Sequence, residues 1–305
     1  MSVSANDRFE RGKLGAMLRA AHLVEDQQPW IFDDEVAGKL SGFETDSSLT
    51  AALTSLQGRL ALRYPAELVQ ALMMEMRAAA ILRSRYAEDQ LASAVERGVS
   101  QYVILGSRFD SFAYRNRQFE STLKIFEVDH AIALQRKQNR LRELHLTPFS
   151  KVSHVPFGFD GRSLWGALRD AGFNQEQPAF FSWLGAAFYV PNDVIVQTLS
   201  QIVRAAAGSE VVFDYPVDEA GLDDERLRMM AIIKSVMAVP AGTTKNGMAP
   251  EPIAQLKEMG YGTISTLTAA ETEACYFADR ADELRFPQLT QIIKARVAES
   301  APSSQ

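Results

Sequence analysis

The stretch GVSQYVILGSRFDSFAYRNRQFESTLKIFEVD, Gly98 to Asp129, decides how the rest of the chain is read. Tyr102-Val103-Ile104-Leu105 is a short apolar run that stops at Gly106. Leu123-Lys124-Ile125-Phe126-Glu127-Val128 is a second run, and it stops at Asp129. Runs of this length, bounded by Gly or Asp, read as buried strands. A strand that enters a glycine turn and then a polar segment suits a nucleotide or cofactor cradle, because a missing Cβ lets a ligand approach the backbone. Only Gly106 is present, not a GxGxxG, so the turn also reads as a plain strand end. An acid at the tip of the second strand suits a pair of ribose hydroxyls, and Asp129 follows the turn at the usual spacing of ~20 residues. Asp129 is equally placed to cap a helix beginning at Ala131.

Working outward toward the C-terminus, strand-like runs recur at Val152 to Phe157, Ala179 to Leu184 and Glu210 to Tyr215. Helical patterns fall between them at Ala131 to Leu146, Ser163 to Ala171 and Asp193 to Ala207. Alternation of this kind implies a parallel sheet with helices on both faces. Weaker strands at Tyr261 to Leu267 and Ala274 to Phe277 close the sheet, and a helical insertion spans Asp218 to Pro240. Toward the N-terminus the reading is helical. Leu14, Leu18, Ala21 and His22 recur at helical spacing, and Pro29 with Phe32-Asp33-Asp34 breaks the run and starts another helix. Pro65 to Arg97 has no internal Gly or Pro and reads as one long helix or two in tandem. The expected organisation is an N-terminal helical cap over residues 1–97 on a doubly wound α/β domain over residues 98–305. Ligands of such sheets bind beyond the carboxyl ends of the strands.

Composition narrows the function classes. The chain has 305 residues, 47% of them hydrophobic and 23% charged, which excludes a disordered or fibrous chain. A net charge of −6 argues against nucleic acid as a partner. One cysteine excludes an internal disulfide. No apolar run approaches the ~18 residues of a membrane span, and MSVSANDRFERGK is polar rather than a signal peptide. The expectation is a soluble cytoplasmic protein, monomer or homodimer, that acts on a small molecule without nucleic acid or membrane. His22, His130, His145 and His154 form no i,i+4 pair, so no metal site is expected. Cys275 reads as a small hydrophobe in a weak strand. No GxSxG marks a hydrolase elbow. Arg136 to Arg142 reads as a solvated helix face, while Tyr64 and Tyr86 pack in the cap or touch substrate.

Several segments carry a specific likeness. They are Arg19-Ala20-Ala21-His22 with Phe32-Asp33-Asp34, then Arg83-Ser84-Arg85-Tyr86, ILGSRFDSFAYR (Ile104 to Arg115) and FEVDHAIALQRK (Phe126 to Lys137). FFSWLGAAFYVP (Phe180 to Pro191) follows, running to VVFDY (Val211 to Tyr215). From about Arg19 to about Arg296 the chain resembles the leucine carboxyl methyltransferase and polyketide carboxyl O-methyltransferase family, within the class I S-adenosylmethionine-dependent fold. The resemblance implies a Rossmann-like, mostly parallel seven-stranded sheet and S-adenosylmethionine as cofactor. It implies O-methylation of a small-molecule carboxylate or hydroxyl, in secondary metabolism.

By the same resemblance Gly106 and Ser107 would face the methionine part and Asp129 the ribose, with Arg83 and Arg19 on the methionine carboxylate. Phe159, in the loop Gly158-Phe159-Asp160, would flank the adenine, and Leu184-Gly185-Ala186 with Tyr189 would line the floor. Departures are Arg108 where the family has glycine, Gly158 where an aspartate is common, and Leu184 where a glutamate is frequent. A positive φ at Arg108 would cost on the order of 1–2 kcal/mol. Arg108 would also place a cation near the sulfonium unless it pairs with the cofactor's carboxylate. An ionised carboxylate needs no general base, so catalysis is expected from alignment and exclusion of water. A hydroxyl or amine acceptor would need a base, for which Tyr189 and His22 are the candidates. The competing expectations are a repurposed methyltransferase fold catalysing a cyclisation or other non-methylating step, and a non-catalytic scaffold.

Overall fold

In a computed structural model, the structure describes residues 5–159, 163–185, 190–236 and 252–299. Four helices precede the first strand: α1 (Ala5–Glu25), α2 (Ala37–Leu40), α3 (Asp46–Ala61) and α4 (Ala66–Glu96). The Pro65–Arg97 stretch is one helix of 31 residues, as its lack of internal Gly and Pro allows. Gly98 ends it at φ +95°. The Val99 N–H then reaches back to the Ala94 carbonyl at 3.1 Å, and the Gly98 N–H to Val95 at 2.9 Å.

The strands are β1 (Gln101–Leu105), β2 (Lys124–Asp129), β3 (Lys151–Pro156), β4 (Ala179–Trp183), β5 (Glu210–Pro216), β6 (Tyr261–Thr266) and β7 (Thr290–Val297). They form one seven-stranded sheet in the order β3-β2-β1-β4-β5-β7-β6. The first five strands pair in parallel, and β7 pairs antiparallel with both β5 and β6. The helices between them are α5 (Phe112–Arg115), α6 (Ala131–Glu143), α7 (Leu164–Asp170) and α8 (Asn192–Ile202), then α9 (Asp224–Val236), α10 (Pro252–Met259) and α11 (Ala269–Thr272).

The strands β1, β2, β4 and β5 are buried along nearly their whole length because both sheet faces are covered there. Tyr102 and Ile104 of β1 face one core, which includes α1, α3, α4 and α9. Val103 and Leu105 face the other, with α7, α8 and α10. The first core is continuous from Leu49 in α3 through Ile81 and Leu82 in α4 to Phe180 and Val212 in the sheet.

Three expectations are corrected. Ala274 to Phe277 is not a strand. Thr268 and Glu271 cap each other's backbone N–H groups, start α11, and lead into a π-helical turn at Glu273–Phe277. The seventh strand is β7 instead, and Cys275 is exposed. Within Arg136 to Arg142, Lys137 and Leu141 point inward and are buried, so that run is not wholly a solvated face. No helix among the described residues is long and apolar enough to cross a membrane.

Candidate functional site

The carboxyl ends of β1 and β4, where the strand order reverses, open into a cavity that is partly open to solvent. A crevice at this switch point is where doubly wound sheets hold ligands. One wall is the turn after β1, with Gly106, Arg108 and Asp110, and another is the end of β4, with Ser182, Leu184 and Gly185. The helices α1 and α4 close it, supplying Gly12, Gly15 and Arg19 from the first and Glu75 and Arg83 from the second.

Gly106 adopts φ +76°, and a Cβ built there would meet nothing within 4 Å. The turn is therefore an unfilled cradle in a conformation that favours glycine. Ser107 is fully buried, and its Oγ has no hydrogen-bond partner. The turn is held from behind by α6, because Lys137 Nζ donates to the Ser107 carbonyl at 3.0 Å. The same ammonium lies 2.8 Å from Glu127 Oε1. Burial pushes the Glu127 carboxyl up to about 7 against the opposing pull of Lys137. Burial and the Lys137 charge together lower the nearby His154.

Three arginines line the cavity, and each is anchored to a buried aspartate. Arg19 Nε donates to Asp34 Oδ2 at 2.8 Å, and its Nη2 donates to the Phe109 carbonyl at 2.7 Å. Burial acts to raise Asp34, but Arg19, Arg115 and the Ser111 hydroxyl outweigh it and hold the carboxyl below its usual range. Arg83 Nη1 reaches Asp214 Oδ2 at 3.1 Å, and Asp214 Oδ1 accepts the Gly185 N–H at 2.6 Å. A Cβ on Gly185 would fall 2.8 Å from Arg83 Nη2, and one on Gly15 would fall 3.3 Å from it. Glycine at both positions lets the guanidinium lie between α1 and the β4 turn. Gly185 also adopts φ +66°.

The third arginine meets the expected ribose acid. Asp129 is 1% exposed. Its Oδ1 accepts the His130 N–H at 2.7 Å, its Oδ2 accepts the Arg108 N–H at 3.1 Å, and Arg108 Nε lies 3.5 Å from Oδ2. Asp129 thus binds the turn rather than capping α6, whose N-cap is His130 with no side-chain cap. Arg108 is not among the described non-glycine residues with positive φ, so the strain expected there does not arise. Phe159 does take a positive φ, +50°. It stacks on Trp183 with centroids 5.8 Å apart and meets His130 edge-on at 6.3 Å. None of these aromatics lines the cavity. Asp160, Ala186 and Tyr189 fall outside the described residues.

His22 is placed elsewhere. It is fully buried, its Nε2 accepts the Ile31 N–H at 2.9 Å, and its Nδ1 lies 2.7 Å from Asp26 Oδ2. Both ring nitrogens are engaged in holding the α1 exit, and the residue does not line the cavity. Sequence reasoning missed Asp34, Asp214, Lys137, Gly12, Gly15 and Glu75. Burial pushes Glu75 up, although its oxygens accept the Leu289 N–H at 2.7 Å and the Gln288 N–H at 3.0 Å. Glycines at positions 12 and 15, inside an otherwise helical pattern, were the one local signal, since interior glycine costs ~1 kcal/mol in a helix and needs a packing reason.

Comparison with known proteins adds a family, relatives in sequence and a likeness in fold. A family model described as leucine carboxyl methyltransferase matches residues 14–203. The chain is 30% identical over 211 residues to a Bacillus subtilis (strain 168) protein named "Putative S-adenosyl-L-methionine-dependent methyltransferase YktD", covering 66% of this chain and 69% of that protein. A Mycobacterium sp. (strain JLS) protein named "Putative S-adenosyl-L-methionine-dependent methyltransferase" is 31% identical over 202 residues, 63% of this chain and 65% of that protein. A further relative, from Mycobacterium marinum, is matched over 48% of its length. Among solved structures, a "putative methyltransferase" from Thermobifida fusca YX superposes with a TM-score of 0.51 at 17% identity, over 86% of this chain and 92% of that one, and so shares the fold.

Proposed function

Since this chain belongs to the leucine carboxyl methyltransferase family and is an S-adenosylmethionine-dependent methyltransferase, we propose that it esterifies the carboxylate of a small molecule, in secondary metabolism. The observation that carries the choice of acceptor is the make-up of the cavity wall. Among the described residues that line it there is no His, Lys or Tyr, while three arginines do line it. An ionised carboxylate needs no deprotonation, and a wall without those three residue types fits it.

The residues fit the cofactor. The Gly106 turn leaves open the space a Cβ would fill, and the Asp129 carboxylate stands at the tip of the neighbouring strand. In this reading Gly106 and Ser107 hold the methionine part, and Asp129 takes the ribose. Arg19 and Arg83 meet the methionine carboxylate, Phe159 flanks the adenine, and Leu184 lines the floor. Arginine suits a planar carboxylate because its fork can donate two parallel hydrogen bonds. When bound, the cofactor would supply an electrophilic methyl group, passed from its sulfur to one carboxylate oxygen with S-adenosylhomocysteine as the leaving group. Residues 1–97 supply the lid and acceptor-pocket helices, and residues 98–305 bind the cofactor. Leu14, Leu18 and Met76 keep water from the reacting oxygen.

A second reading rests on Glu75. A buried carboxyl at the cavity wall, raised above its ordinary value, suits a base for a hydroxyl acceptor. Labelled methyl transfer to a panel of carboxylic acids and phenols tests the choice. Esters release methanol under mild alkali, whereas ethers keep the label. Alkali-labile product is expected, and alkali-stable product would overturn the carboxylate reading in favour of the second one.

A further inference from the structure

We propose that Arg108 exchanges carboxylates during cofactor binding, leaving Asp129 for the carboxylate at the amino-acid end of the cofactor. The proposal rests on the cofactor reading given above.

Arg108 covers the Asp129 carboxylate as the two stand. Each Asp129 oxygen already accepts one backbone N–H, from His130 at 2.7 Å and from Arg108 at 3.1 Å. Arg108 Nε stands 3.5 Å from the same Oδ2, and the aspartate is 1% exposed. The cavity wall includes Arg108 but not Asp129, so the guanidinium stands between the cavity and the acid. A ribose hydroxyl can reach the carboxylate only when that guanidinium moves. A neutral hydroxyl then replaces a cation beside Asp129, and the displaced charge needs a new counter-ion in a poorly solvated place.

The other two arginines also pair with buried aspartates. Arg19 is fixed by Asp34 at 2.8 Å and by the Phe109 carbonyl at 2.7 Å. Arg83 is fixed by Asp214 at 3.1 Å and wedged between two glycines. Of the three ion pairs, the one at Arg108 is the longest. A Cβ built on Gly12 would meet Arg108 Cδ at 3.1 Å and its Nη1 at 3.4 Å, so the arginine lies against bare helix backbone at the cavity edge. The geometry therefore couples three things: the ribose acid, the charge of the amino-acid end, and the approach of α1.

Two ligands separate this exchange from simpler roles. S-adenosylhomocysteine carries adenosine and the amino-acid carboxylate, while 5′-methylthioadenosine carries adenosine without it. Calorimetric titration of the full-length protein with both ligands is repeated for Arg108→Ala and for Arg108→Gln, which keeps a polar side chain without the charge. Thermal unfolding verifies that each variant is folded. In both variants, affinity for S-adenosylhomocysteine should fall roughly tenfold while affinity for methylthioadenosine rises severalfold. The opposite signs are the signature, because the first ligand loses a counter-ion and the second loses a competitor. A rise for both ligands would make Arg108 a plug only and overturn the exchange, and so would a fall or no change for both. Wild-type protein that binds neither ligand would overturn the cofactor reading, and the exchange with it. Wild-type binding without the opposed signs overturns the exchange alone.

Discussion

Lys137 Nζ lies 2.8 Å from Glu127 Oε1, with both side chains fully buried behind the glycine turn. The ammonium also donates to the Ser107 carbonyl, so one buried cation both neutralises a strand residue and fixes the floor of the cavity. Glu127 titrates near 7 rather than near 4.5, because burial outweighs the attraction of its partner. A carboxyl raised in the folded state contributes stability below its unfolded value, and that contribution is lost as pH rises through its folded value.

Lys137→Met follows from this pair. Without the cation the Glu127 carboxyl rises further, so above about pH 7 the folded state must keep it protonated at growing cost or bury a charge whose nearest remaining neighbour is His154, 3.6 Å away. The loss in stability should be small near pH 5.5 and grow to about 3 kcal/mol near pH 8.5. Thermal unfolding at the two pH values measures it, and equal losses at both would show that the pair carries no charge coupling.

Gly185→Ala tests the seat of Arg83. The new methyl would fall 2.8 Å from Arg83 Nη2 at a residue with φ +66°. Strain of this kind costs on the order of 1–2 kcal/mol. Displacement of the guanidinium should also weaken S-adenosylhomocysteine binding about tenfold. Unchanged affinity in a folded variant would remove Arg83 from the site.

His22→Gln should cost about 1–3 kcal/mol of stability, because the Ile31 N–H and Asp26 lose a buried partner. Methyl-transfer rate and cofactor affinity should stay at wild-type levels. A selective fall in kcat without loss of stability would restore His22 as a base.

The first five strands and the glycine turn were legible because buried parallel strands are apolar runs closed by Gly, Pro or Asp. The half-buried polar face of β7 hid it. Its Lys294 and Arg296 alternate with Ile293 and Ala295, and the more apolar Ala274–Phe277 drew the reading toward a segment that a capping box makes helical. Lys137 was hidden inside a basic run, since only helical phase puts it with Ala133, Leu134 and Leu141 on the inner face. Asp214 lies 131 residues from Arg83, and no local pattern announces such a partner. Acids suited to hold ribose and acids that capture arginine look alike in sequence, and the sheet order tells them apart.

Glu75→Gln separates the two acceptor readings. For a carboxylate acceptor, an ionised Glu75 repels the substrate, so KM should rise as pH rises through the elevated Glu75 value. The variant should flatten that dependence and leave kcat within about threefold of wild type. If Glu75 is a base for a hydroxyl, the wild-type rate instead rises with pH and the variant loses about 10²-fold or more in kcat.

The central claim is that the Gly106 turn and Asp129 hold S-adenosylmethionine. Calorimetric titration of wild-type protein and Asp129→Ala with S-adenosylhomocysteine tests it most directly. Saturable one-to-one binding to the wild type is expected, weakened about tenfold or more in the variant. Absence of binding to the wild type, or equal affinity in a folded Asp129→Ala protein, would contradict it.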